Sequence, residues 1–101
     1  MTLDEFQAAA ARTRNVTLSD RDQLLDAAAG LAEEGGEVLS HVRKHAFQSK
    51  PLDKDALTIE IGDALWCLSM TATCLGLSLS DIAEANRAKL RARFPDGYAD
   101  R

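Results

Sequence analysis

Four acidic residues are spaced so that each of two pairs shares one face of a helix. Glu34 and Glu37 are three residues apart, and like charges at that spacing repel. Glu60 and Asp63 repeat the spacing. If the two helices pack antiparallel, both pairs face a half-buried cleft, where a divalent cation would offset the repulsion. Oxygen ligands favour a hard ion, so the pattern predicts Mg²⁺, with Mn²⁺ as a substitute.

Three glycines lie among these acids in the interior of the predicted helices: Gly35, Gly36 and Gly62. Each costs roughly 0.5–1 kcal/mol relative to alanine. We expect glycine at these positions to let the two helices approach closely enough to share an ion. A solvated acidic face produces the same spacing of acids, and the pattern alone leaves both interpretations open.

A second group of polar residues follows near the carboxyl end. Asn86, Lys89 and Arg93 share a helical face with Ile82, within about 60° of arc. Lys89 and Arg93 are suited to hold phosphate oxygens, and arginine does so in bidentate fashion. The alternative is a basic helix end favoured by the helix dipole.

Other residues near the acids have structural interpretations as well as functional ones. His41 lies one turn beyond Glu37, and we expect it to be a supporting hydrogen-bond partner or a residue on the rim of the cleft rather than a ligand. Trp66 either stacks on a nucleobase or anchors an interface, and the pattern favours the interface. Cys67 and Cys74 are two turns apart, about 10 Å, so we expect free thiols and a reducing cytoplasm.

Four helices must position these residues. Thr2 with Glu5 forms a capping box that opens a helix to about Arg14. The second helix is predicted from Ser19 to about Phe47. The third follows the cap Asp53, runs to about Leu75 and is ended by Gly76, and the fourth runs from the cap Ser78 to about Arg93. On the second helix, Glu34 and Glu37 fall at the edge of an apolar stripe, which consists of Leu24, Ala28, Leu31, Gly35, Val38, Leu39, Val42 and Ala46.

The third helix has two apolar stripes about 180° apart. The first contains Leu57, Ile61, Leu65, Leu68, Ala72 and Leu75, and the second contains Ile59, Trp66, Met70 and Thr73. A chain of this size cannot easily bury both sides of one helix. We expect the second stripe to meet another subunit, and the alternative is that the first helix covers it.

Composition agrees with one small helical domain over residues 1–101. Hydrophobic residues make up 46% of the 101 residues and aromatic residues only 5%, which favours an all-α bundle of about four helices over a sheet. So short a chain gains from pairing with a copy of itself. The net charge of −4 argues against binding a nucleic acid polymer. The uncharged stretch from Ala64 to Ser80 is too short to span a membrane, and the acidic amino end does not indicate export.

Taken in order, these motifs resemble a known family. The run Glu33-Glu34-Gly-Gly-Glu37, followed after 22 residues by Glu60-Ile-Gly-Asp63, resembles the EExxE and ExxD signature of the MazG-like, all-α nucleoside triphosphate pyrophosphohydrolases. The segment with Asn86, Lys89 and Arg93-Phe-Pro-Asp-Gly-Tyr is similar to the closing helix and turn of that family. The resemblance extends from about Leu24 to Tyr98.

The resemblance implies hydrolysis of a nucleoside triphosphate to a monophosphate and pyrophosphate, with Mg²⁺ required. By position, the magnesium ligands would be Glu34, Glu37, Glu60 and Asp63. Asn86, Lys89 and Arg93 would contact phosphates or sugar, and Glu33 would have a catalytic or a supporting role. Members of the family form dimers or dimers of dimers, so a homo-oligomer is expected.

Two other interpretations belong to different functional classes. A di-iron carboxylate bundle requires Glu-x-x-His pairs, but Ser40 stands three residues after Glu37 and His41 is one residue too far. A non-catalytic helical regulator that binds a nucleotide or a protein would keep the same fold. The sequence leaves the regulator open and argues against the iron site.

Overall fold

The computed structural model describes residues 1–98, which form four α-helices and no β-strand. The helices are α1 (Leu3–Ala11), α2 (Asp20–Gln48), α3 (Lys54–Cys74) and α4 (Leu79–Arg93). The predicted all-α architecture is confirmed. Helix α1 ends earlier than the predicted Arg14, because the side chain of Thr13 donates to the carbonyl of Ala10 and closes the helix there.

The four predicted amino-terminal caps are all present, and they explain where each helix begins. Thr2 and Glu5 form the capping box, with hydrogen bonds of 3.0 and 3.1 Å. The Ser19, Asp53 and Ser78 side chains each accept a hydrogen bond from the backbone N–H three residues later. Gly76 ends α3 with a φ of 69°, in the left-handed region that favours glycine.

Helices α2 and α3 form an antiparallel hairpin joined by residues 49–53. Contacts along the seam run in opposite directions along the two helices. Gly30 lies against Cys67, and His41, later on α2, lies near Glu60, which is earlier on α3. With 29 residues, α2 is about 43 Å long, which matches the longest dimension of the molecule, 43 Å. The hairpin therefore determines the length of the protein.

The face of α2 that packs on α3 is rotated from the predicted stripe. Ala27 is buried, and Gly30, Glu34 and His41 are half-buried, whereas Leu39 of the predicted stripe is 57% exposed. Glu34 is half-buried in the seam beside Glu60 and Asp63, which agrees with the predicted half-buried cleft. At Gly30 the absence of a side chain leaves room for the sulfur of Cys67, which brings this face of α2 against α3.

The second stripe of α3 is covered largely within the same chain, so the expectation of a second subunit there is wrong for most of it. Met70 is 2% exposed, Trp66 donates to Thr13 over 2.8 Å, and Thr73 accepts from Gln7 of α1 over 3.1 Å. Only Ile59 of this stripe stays open, at 63%. The first stripe contains more exposed residues: Ile61 is 58% exposed, Leu68 44% and Leu75 54%.

Helix α4 packs on α1 and α3 and makes no contact with α2 among the described residues. Gln7 joins these elements: its side chain accepts from the N–H of Leu79 over 2.7 Å and donates to the carbonyl of Leu77 over 2.9 Å. Leu79 and Ile82 of α4 line one cavity together with Leu65 of α3. Since Leu65 points away from the α2 side of α3, helices α2 and α4 lie on opposite sides of α3.

No single helix within residues 1–98 has the length and apolarity required to cross a membrane. Helices α3 and α4 meet that requirement only when they are counted together, and they are bent by 102° relative to each other.

Candidate metal centre

Three carboxylates from two helices converge in the α2–α3 seam. Glu34 of α2 and Glu60 and Asp63 of α3 each offer an oxygen, and the three oxygens lie within 4.8 Å of one another. Glu34 and Glu60 are half-buried, and Asp63 is exposed. Three carboxylate oxygens at this separation match the donor set that a hard divalent cation requires.

The electrostatics of Glu34 show how unfavourable this arrangement is without a positive charge. Its Oε2 atom is buried and accepts no hydrogen bond from the described residues. The pKa of Glu34 is raised to about 7, first because a hydrogen bond with Glu60 favours the protonated form, then because of burial and repulsion from Glu60, Asp63 and Glu33. A bound cation would supply the partner that Oε2 lacks and remove the repulsion.

The remaining acids of the motif lie outside this group of three. Glu37 is one turn further along α2 and exposed, so its predicted role as a metal ligand stays a prediction. Glu33 is exposed and acts on the site by adding negative charge near Glu34. The Nε2 atom of His41 lies 4.0 Å from Oε1 of Glu60, a distance at which a protonated imidazole forms an ion pair, and its supporting role stays a prediction.

The glycine that allows α2 and α3 to approach closely is Gly30, which is not one of the three predicted from the sequence. A methyl group added at Gly35, Gly36 or Gly62 would have no atom within 4 Å, so these three do not bring α2 and α3 together. At Gly30 the same methyl group would lie 2.9 Å from the sulfur of Cys67. Gly30 is not among the glycines predicted from the sequence, although its position one turn before Glu34 is a usable signal.

Three of the predicted substrate-binding residues lie on α4, and the fourth, Trp66, lies on α3. Asn86, Lys89 and Arg93 are exposed on α4, and α4 does not contact α2. Trp66 is half-buried, and its indole N–H bonds to Thr13 beside the α1–α2 link. Both cysteines are free thiols, as predicted.

The seam of this helical hairpin contains acids from both helices, and a family model identifies the class of protein to which the arrangement belongs. Residues 23–98 match the model of the MazG nucleotide pyrophosphohydrolase domain. The chain therefore belongs to the MazG family, whose members generally use a divalent metal and act on nucleotides. Searches of curated proteins and of solved structures found no significant match.

Proposed function

We propose that this protein hydrolyses nucleoside triphosphates between the α and β phosphates, consuming one water and yielding a nucleoside monophosphate and pyrophosphate. The observation that carries the proposal is the convergence of Glu34, Glu60 and Asp63 around a buried carboxylate oxygen with no donor, in a MazG-family chain. When bound there, Mg²⁺ supplies charge neutralisation for the phosphates and acidifies a water molecule.

The side chains divide this work between two helices. Glu34, Glu60 and Asp63 would hold the ion from both sides of the seam. Glu37, exposed one turn along α2 and outside the group, is free to take a proton from the attacking water. His41 lies beside Glu60 and would keep that carboxylate oriented.

A second copy of the chain is part of the proposal. Asn86, Lys89 and Arg93 lie on α4, which packs on α3 and does not contact α2, so we infer that they bind the triphosphate held by the acids of another subunit. Lysine and arginine bind phosphate oxygens well, and both side chains are exposed. In a homodimer or a dimer of dimers, α4 of one subunit would face the acids of another.

The decisive experiment is incubation with a panel of ribo- and deoxyribonucleoside triphosphates and Mg²⁺, with separate assays for pyrophosphate and orthophosphate. We expect pyrophosphate and monophosphate in equal amounts, abolished by Glu60→Gln and by Asp63→Asn. Asp55→Asn, which changes an exposed acid in the first turn of α3, is the matched control and should retain activity. Release of orthophosphate alone would contradict the cleavage position, and tight nucleotide binding without turnover would favour a regulator.

A further inference from the structure

One close contact between α2 and α3 lies directly beside the carboxylate group. A methyl group at Gly30 would approach Sγ of Cys67 to 2.9 Å, a distance that real side chains essentially never show. Cys67 is 7% exposed and its side chain has one rotatable bond, so the sulfur has little freedom to move away. The sulfur therefore packs into the space that the missing side chain of Gly30 leaves.

The register places this contact one helical turn from the acids on both helices. Glu34 follows Gly30 by four residues on α2, and Asp63 precedes Cys67 by four residues on α3, so each pair shares a face. The pKa of the Cys67 thiol is raised by burial and also by repulsion from Glu34 and Asp63, as expected for a sulfur next to these carboxylates. The close contact at Gly30 therefore lies a single turn from the acids on each helix.

We propose that Gly30 is a positioning residue of the metal centre: by accepting the Cys67 sulfur against the backbone of α2, it sets the helix separation at which Glu34 reaches Glu60 and Asp63. The inference rests on the proposed function, because it assumes that these carboxylates bind an ion. Metal ligand distances tolerate errors of only about 0.2 Å, less than the shift that an added methyl group would demand.

The test compares two identical substitutions in α2. Gly30→Ala adds a methyl group against Cys67, and Gly36→Ala adds one where no atom lies within 4 Å. Mn²⁺ affinity, measured by electron paramagnetic resonance or calorimetry, should fall roughly ten-fold or more in Gly30→Ala and stay unchanged in Gly36→Ala. Thermal unfolding in EDTA gives a second readout, in which Gly30→Ala should unfold at a lower temperature than Gly36→Ala.

A compensating substitution separates positioning from general damage. Cys67→Ala removes the sulfur, so the double variant with Gly30→Ala should recover Mn²⁺ affinity close to that of Cys67→Ala alone. Normal Mn²⁺ binding by Gly30→Ala, or failure of Cys67→Ala to restore it, would overturn the inference while leaving the proposed function intact. Absence of Mn²⁺ binding by the unmodified protein would overturn both.

Discussion

Glu34 is the residue in which the structural and the functional requirements conflict most directly. An acid in the seam between two helices is unfavourable for folding, because burial and neighbouring carboxylates oppose its ionised form. A cation bound by Glu34, Glu60 and Asp63 would offset this electrostatic cost, since the same carboxylates would then be its ligands. The buried Oε2 atom of Glu34, which has no hydrogen-bond partner, is therefore understandable as a binding feature and not as a packing feature.

The raised pKa of Glu34 predicts how stability depends on pH without metal. This carboxyl titrates at about 4.5 in the unfolded chain and at about 7 in the folded one, so the folded state holds its proton more tightly. Its contribution to the free energy of unfolding is therefore neutral below about pH 4.5, decreases as pH rises, and is fully unfavourable above pH 7. Urea unfolding in EDTA should show this decrease.

Glu34→Gln should flatten that part of the profile, because glutamine does not titrate. Glu33→Gln, which alters an exposed neighbour, is the matched control and should keep most of the decrease. An unchanged profile in Glu34→Gln would show that another group causes the pH dependence.

Glu37 lies outside the group of three acids, and this predicts a difference between binding and turnover. In Glu37→Gln the three grouped carboxylates remain, so Mn²⁺ affinity should change less than ten-fold. Pyrophosphate release should fall by about 100-fold or more, because general bases contribute at least that much. Titration calorimetry measures the Mn²⁺ affinity, and steady-state assays on the same preparation measure pyrophosphate release. If Glu37→Gln lost as much Mn²⁺ affinity as Glu34→Gln, Glu37 would be a metal ligand instead.

Among the elements, the α2–α3 hairpin contains the candidate metal centre, and α1 and α4 pack against α3. Helix α1 covers one side of α3 through Gln7 and Thr73, and the Trp66–Thr13 hydrogen bond secures the link that leads into α2. The short α1 and the α3–α4 turn are thus held by a few polar contacts more than by a large core.

Gln7 is predicted to contribute more to the free energy of unfolding than an exposed helical glutamine normally does. Its side chain satisfies the N–H of Leu79, a buried residue, and bonds to Leu77 and Thr73. Gln7→Ala should lower the free energy of unfolding by about 1–3 kcal/mol, since it leaves a backbone donor unpaired. Gln48→Ala, at the exposed end of α2, should change it little, and chemical denaturation followed by Trp66 fluorescence compares the two.

For the whole molecule, one chain leaves an unusually large surface exposed. The chain exposes 7623 Å² at a mass of 10.9 kDa, whereas a compact monomer of that mass exposes roughly 5600 Å². Its radius of gyration is 16.4 Å, compared with about 13 Å for a typical domain of this length. Exposed Leu39, Ile61 and Leu68 contribute to this excess. Association with a second copy would cover such a surface.

The protein is therefore predicted to be a homo-oligomer in solution. Light scattering coupled to size exclusion should give a multiple of 10.9 kDa. Ile61→Asp, on the exposed stripe of α3, should shift the mass toward one chain and reduce pyrophosphate release, because α4 of the partner is lost from the site. Val16→Asp, on the exposed α1–α2 link, is the control. A single-chain mass with full activity would contradict the predicted assembly.

Local sequence signals determined the helices and the identity of the acids. Caps act through side-chain contacts over three residues, and ExxE spacing acts over one turn, so Ser19, Ser78 and the acidic pairs were all readable from the sequence. Tertiary structure decided which face of α2 meets α3, which stripe α1 covers, and which glycine is used. These depend on how the helices pack, and Gly30 acquires its role only because Cys67, 37 residues later, packs against it.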